Sequence, residues 1–218
     1  MMMNKKSKLQ KLVTPLIYVL VSGIFLFFIG GPILELAYGK IQLMVVKGAP
    51  SYPNEYDTQV FTLTGKNKDK SEVQIPMLNT LYAYIQNEKL NFNAPVYYGD
   101  SEELLLKGAG HYVGSGISGQ GKQILIGGHD GTFFAPLEGV EIGDVFTLDT
   151  NYGTYSYEVY ETRIASASDT STYNLSSTEE ELVLYTCYPF GQVLSQRDDR
   201  FFVYAKLIQD NKAMEVTP

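Results

Sequence analysis

From Thr80 onward the chain is a succession of short runs rich in Tyr, Val, Ile, Phe and Thr: "TLYAYIQNE", "APVYYG", "KQILIGG", "DVFTLDT", "TYSYEVYETRIA", "ELVLYTC" and "RFFVYAKLI". Gly, Asn, Asp and Pro punctuate them, and β-branched and aromatic residues between turn formers predict strands. "TYSYEVYETR" alternates in the manner of a half-buried strand, whereas "KQILIGG" and "ELVLYTC" are continuous apolar runs that need cover on both faces. A closed or nearly closed barrel accommodates both kinds, so the expected fold class is all-β. Helix is expected only at "DSEELLLKGA", with Asp100 as cap and Glu103 three residues on, and at "SSTEEE" from Ser176 to Glu181. "SASDTSTYNLSST", Ser166 to Thr178, is a polar loop long enough to form a functional wall.

Ahead of this domain lies an uncharged run, Leu12 to Leu34, preceded by Lys5, Lys6, Lys8 and Lys11. As a helix it rises about 35 Å, more than the bilayer core of about 30 Å. It exceeds the apolar core of a cleavable signal peptide, and the small-residue site Ala37-Tyr38-Gly39 lies beyond it. The expectation is a retained single-pass anchor with its lysine-rich end cytoplasmic and the rest of the chain extracytoplasmic. Residues 1–11 are read as a basic tail, 12–38 as the anchor, 39–72 as a spacer with one weak strand at Gln59–Thr64, 73–211 as the barrel and 212–218 as a tail. The whole chain carries a formal charge of −7, and with those lysines at the membrane the outer part is more acidic still. Nucleic acid is therefore not an expected partner, since phosphates demand basic patches.

The chain holds one cysteine, Cys187, and two histidines, His111 and His129. In an oxidising compartment a solitary thiol is either buried and inert or kept for reactivity. In "LVLYTC" Leu182, Leu184 and Thr186 share one strand face and Val183, Tyr185 and Cys187 the other, so a leucine core turns Cys187 outward. Pro189 then ends the ladder. In "RFFVYAKL" Phe201, Val203, Ala205 and Leu207 form the apolar face and Arg200 lies opposite. Antiparallel pairing of these two strands makes Arg200 a neighbour of Cys187, able to lower the thiol pKa, to donate to an oxyanion, or to pair with Asp198 or Asp199. Arg197, with two acids beside it, reads as a solvated loop charge. Gly127-Gly128 permits a sharp turn that presents His129 at a barrel rim, or else His129 packs at a strand end. No spacing of Cys and His suits a metal, and no cofactor is expected.

Taken together, "APVYYGDSEELLLKGAGHY", "ILIGGHDGTFFAPL", "LYTCYPF" and "DRFFVYA", with His129, Cys187 and Arg200 in that order, resemble the sortases, membrane-anchored cysteine transpeptidases of Gram-positive bacteria. The "TCYPF" form is most similar to class D. The resemblance implies an eight-stranded sortase-type β-barrel with one or two short helices behind a transmembrane helix. It further implies cleavage of an LPxTG-like sorting signal between Thr and Gly, with Cys187 as nucleophile, His129 as general acid and Arg200 on the oxyanion. The partners implied are secreted proteins carrying that signal and an amine acceptor such as a peptidoglycan precursor, met at the outer face of the cell membrane. Thr186, Tyr188 and Pro189 beside the cysteine, and Ser168 and Thr170 in the polar loop, are the candidate substrate contacts. No Asp-Pro-aromatic segment precedes Val73 and no second apolar segment follows the barrel, which departs from class C pilus polymerases. Glu138, Glu141 and Asp144 read as surface acids rather than as the calcium site of some class A enzymes, and His111 as structural. The alternatives are a cysteine peptidase that hydrolyses the same kind of motif, although papain-like folds place Cys before His, and a non-catalytic surface-binding barrel with Cys187 buried.

Overall fold

The computed structural model describes residues 13–26, 30, 34, 37, 61–63, 73–150, 152–192 and 197–212. The basic tail 1–11, the spacer apart from 61–63 and the residues beyond 212 lie outside that set, as do 193–196. The chain divides into two units, Met1–Tyr38 and Gly39–Pro218.

In the first unit residues 13–26 are helical, with helical backbone again at 30, 34 and 37. The stretch is apolar all round, with Leu16, Tyr18, Val19, Phe25 and Leu26 all exposed, and Ser22 turns its hydroxyl back onto the Tyr18 carbonyl at 2.7 Å. Residues 13–26 rise only about 21 Å, and among the described residues no helix is long and apolar enough to cross a membrane. The expected membrane-spanning helix over 12–38 is thus not supported by the described residues.

The second unit is the expected all-β barrel. Two short strands, β1 (Phe61–Leu63) and β2 (Val73–Ile75), pair antiparallel as a separate sheet, which places a strand inside the weak run Gln59–Thr64. The barrel strands are β3 (Leu81–Asn87), β4 (Phe92–Tyr98), β5 (Ala109–His111), β6 (Gln123–Gly127), β7 (Val145–Thr150), β8 (Gly153–Ser166), β9 (Glu181–Tyr188) and β10 (Asp199–Lys212). They close in the order β10-β8-β7-β3-β4-β5-β6-β9. Most neighbours are antiparallel, but β4 with β5 and β6 with β9 are parallel.

The two kinds of run occupy the environments their patterns require. On β8, Tyr155, Tyr157 and Val159 are buried while Glu158 and Tyr160 between and beyond them face out. All of β6 is buried, because its inner face enters the main core and its outer face is covered by a second cluster of Leu125, Val183, Phe202 and Tyr204. The polar loop after β8 closes over that outer cluster: the Tyr204 hydroxyl donates to the Thr172 carbonyl at 2.8 Å, and the Asn174 N–H donates to Gln123 at 2.6 Å. Inside, Phe92 meets Phe134 and Phe146 at ring separations of 5.3 and 5.4 Å, within the range of favourable aromatic packing.

Among the described residues of this unit helix is confined to short turns, two of them 3-10 turns at Ala135–Gly139 and Thr170–Thr172. A single turn, α1 (Glu102–Leu105), is preceded by Ser101 rather than Asp100 at the N-cap, and no side chain caps it. "SSTEEE" forms bends leading into β9, not a helix. Its Glu180 instead accepts from Gly119 N–H, Gly121 N–H and the Tyr157 hydroxyl, tying three segments together. Such a half-buried acceptor, engaged by three donors, competes successfully with a short, uncapped turn.

Candidate active site

Strand register assembles the candidate residues. In the antiparallel pair of β9 and β10, Arg200 lies directly opposite Cys187. On the other side of β9, β6 runs parallel with Gly127 opposite Tyr185, and His129 follows two residues past the end of β6, so β9 lies between the strand that carries Arg200 and the strand that leads into His129. Beyond Arg200 the row reaches Ala165 on β8. The reason is the pattern of β9: Leu182 and Leu184 are fully buried in the main core, Val183 and Tyr185 belong to the outer cluster, and Cys187 follows them on the outward side. Cys187 is free and partly exposed. Val203 and Ala205 enter the main core, with Phe201 and Leu207 packed against it, and this leaves Arg200 on the outward side of β10.

The Arg200 guanidinium donates from Nη1 to the carbonyls of Arg197 and Asp199, both at 2.9 Å. Among the described residues no carboxylate pairs with it, so it is not spent on Asp198 or Asp199. His129 is about one-third exposed and its Nε2 stands 3.4 Å from the Glu102 carboxylate, at the start of α1. Its carbonyl accepts from the Thr132 and Phe134 N–H groups and so fixes the turn that carries it.

Glycine is needed ahead of His129, but not for a sharp turn. Neither Gly127 nor Gly128 has a positive φ. A Cβ on Gly127 would lie 2.5 Å from the Tyr185 ring, and one on Gly128 2.5 Å from the Phe134 ring. Close approach of two aromatics, not backbone freedom, requires them.

The candidate substrate contacts divide. Thr186 is buried, and its hydroxyl donates to the Gly128 carbonyl at 2.7 Å; it braces the turn before His129 instead of facing a ligand. Tyr188 is half-buried, with its ring against Phe190, and Pro189 is exposed. Ser168 and Thr170 are exposed at the start of the polar loop. That loop begins beside the arginine strand, with Ala167 N–H donating to the Asp198 carbonyl at 2.7 Å.

Arg197 is a correction to the reading from sequence. Far from solvated, its side chain is 17% exposed and its Nη1 lies 2.6 Å from the Asp130 carboxylate, which is 4% exposed. The partners are separated by 67 residues, and the acids adjacent to Arg197 in sequence concealed the one it uses. Of the three acids near the end of the "GGH" segment, Glu141 and Asp144 both hold Lys89 Nζ, at 2.6 and 2.7 Å. Burial alone would raise the Asp144 carboxyl, but the Lys89 ammonium and the Glu141 N–H outweigh it and hold it below its ordinary value. A fixed ammonium therefore already sits between these two carboxylates.

His111 is fully buried, with the Tyr82 hydroxyl 2.6 Å from Nδ1 and Ser115 Oγ 3.0 Å from Nε2. Burial pushes its imidazole down to about 3. The unfolded chain takes up this proton below about pH 6.5 and the folded one only near pH 3, so stability falls as pH drops through that window. Urea midpoints followed from pH 7 to pH 4 should decline less steeply in His111→Gln than in the parent. One proton sets the limit of that difference at about 1.4 kcal/mol per pH unit, and parallel declines would contradict a neutral, buried His111.

Comparison with known proteins follows the same lines. The Sortase domain family matches residues 85–208. Sortase D of Bacillus subtilis (strain 168) is 33% identical over 145 residues, covering 66% of this chain and 72% of that protein. Among solved structures, sortase C1 from Streptococcus agalactiae superposes with a TM-score of 0.56 at 26% identity, covering 62% of this chain and 72% of that one. A Clostridium perfringens Sortase D5 transpeptidase gives a TM-score of 0.55 at 24% identity, over 62% and 83%.

Proposed function

Because this chain belongs to the sortase family, whose members are transpeptidases that anchor proteins to the cell wall, we propose that it cleaves an LPxTG-like sorting signal between Thr and Gly and passes the acyl part to an amine acceptor. The observation that carries this reading is Arg200 directly opposite Cys187 on adjacent strands, with His129 in the turn that follows the strand on the other side of β9. In the proposed reaction the Cys187 thiolate attacks the Thr carbonyl carbon, and the oxyanion that forms accepts hydrogen bonds from the Arg200 donors not held by backbone. Collapse breaks the C–N bond while protonated His129 delivers its proton to the departing Gly amine. An acceptor amine then adds to the thioester, gives its proton to His129, and expels the thiolate. Tyr188 and Pro189, directly after Cys187, and Ser168 and Thr170, in the loop that begins beside the arginine strand, are the proposed contacts for the signal.

The proposed site of action is the outer face of the membrane, held by the N-terminal segment. The support is the uncharged run Leu12 to Leu34 behind its lysines and the all-round apolar exposure of its described helix. Sedimentation with membranes and release by detergent but not by salt is the expected behaviour; release by salt would count against it.

Product analysis separates transpeptidase from peptidase. With an LPxTG-type peptide and excess triglycine, most of the acyl fragment should appear as the triglycine adduct, and His129→Ala should slow its formation about 10²-fold or more. A product consisting of the free acid at every triglycine concentration would favour the hydrolytic reading.

A further inference from the structure

We infer that the ion pair of Asp130 with Arg197 is a positioning device that holds His129 and Arg200 on the two sides of Cys187, and that the rate of acyl transfer, more than binding, depends on it. This rests on the roles just proposed for those three residues. Asp130 follows His129 directly in the chain. Its Oδ2 accepts from Arg197 Nη1 at 2.6 Å and from the Gly191 N–H at 2.9 Å. The same Nη1 donates to the Pro189 carbonyl at 3.1 Å. At the other end of the residue, the Arg197 carbonyl accepts from Arg200 Nη1 at 2.9 Å. One residue thus connects the turn bearing the imidazole, the backbone two residues past the thiol, and the guanidinium opposite it.

The pair is withdrawn from water, so it is not a screened surface contact of little consequence. Removing either charge leaves the other buried and uncompensated, and removing the carboxylate also orphans the Gly191 N–H. The segment after Cys187 would then be released from the turn after β6, and Arg200 would lose the fixed position of one of its two carbonyl acceptors. Small displacements of reacting groups cost rate more than affinity, so kcat should carry the loss. The two arginines also separate by chemistry. Among the described residues Arg197 makes its two side-chain hydrogen bonds through one nitrogen, which a lysine ammonium can reproduce.

The test measures kcat and KM for transfer of an LPxTG-type peptide to triglycine by the full chain, with Cys187→Ala as control. In Asp130→Asn and Arg197→Gln, kcat should fall about tenfold or more with KM within about twofold, and Arg197→Lys should recover most of it. The double variant Asp130→Ala/Arg197→Ala should lose no more than the worse single one. Parent-like kcat in Asp130→Asn and Arg197→Gln, equal losses in Arg197→Lys and Arg197→Gln, or a change confined to KM would overturn the positioning role alone. If Asp130→Asn does not fold, Arg197→Lys against Arg197→Gln decides by the same criterion. An inactive parent protein contradicts the transpeptidase reading and takes the positioning role with it.

Discussion

Cys187→Ala is expected to abolish transfer, by about 10⁴-fold or more, with the fold intact. No other group can stand in for the thiol. Cys187 is the only sulfhydryl in the chain, and the nearest aliphatic hydroxyl in sequence, that of Thr186, is buried and committed to the Gly128 carbonyl. Because Cys187 lies on the outward side of β9, past the outer cluster, truncating it removes little packing and should leave thermal stability nearly unchanged. Cys187→Ser should be almost as inactive, since an alkoxide is far less accessible than a thiolate at neutral pH. Substantial turnover in Cys187→Ala would remove the nucleophile from this account.

Arg200→Ala should lower kcat by roughly 10² to 10³, the loss of about 2.7–4 kcal/mol that follows removal of an oxyanion donor. In the proposed mechanism its guanidinium receives the negative charge of the oxyanion. One nitrogen is pinned by the Arg197 and Asp199 carbonyls, which orients the planar group, and the proposed mechanism uses the donors that hold no partner among the described residues. A lysine offers a single ammonium that the same carbonyls would capture, so Arg200→Lys should rescue poorly. The contrast with Arg197→Lys, which should stay active, is the sharper result. KM for the peptide should change little in either Arg200 variant, because the interaction strengthens only as negative charge develops. Good activity in Arg200→Lys would mean that the arginine contributes only charge.

Much of the row is legible in the sequence because strands have a period of two. The leucines of "LVLYTC" and the apolar alternation of "RFFVYAKL" determine which way Cys187 and Arg200 face, and the observed pairing places them opposite one another. What escapes the sequence depends on contacts between distant segments. Asp130 carries a weak signal as an acid following a glycine-flanked histidine, but nothing near Arg197 marks it as the partner across 67 residues. Thr186 reads as a ligand contact until the parallel placement of β6 beside β9 supplies the Gly128 carbonyl. Gly127 and Gly128 stand out in the sequence, but the rings that require them come from Tyr185 and Phe134, which local turn chemistry does not foresee.

The central claim is a thioester on Cys187. Intact-mass measurement of the protein mixed with an LPxTG-type peptide in the absence of an amine, followed by peptide mapping, tests it most directly. The account predicts a mass increase equal to the fragment ending in Thr, located on Cys187 and discharged when triglycine is added. Cleavage of the peptide with the acyl group on any other residue, or an adduct on Cys187 that triglycine does not discharge, would contradict it.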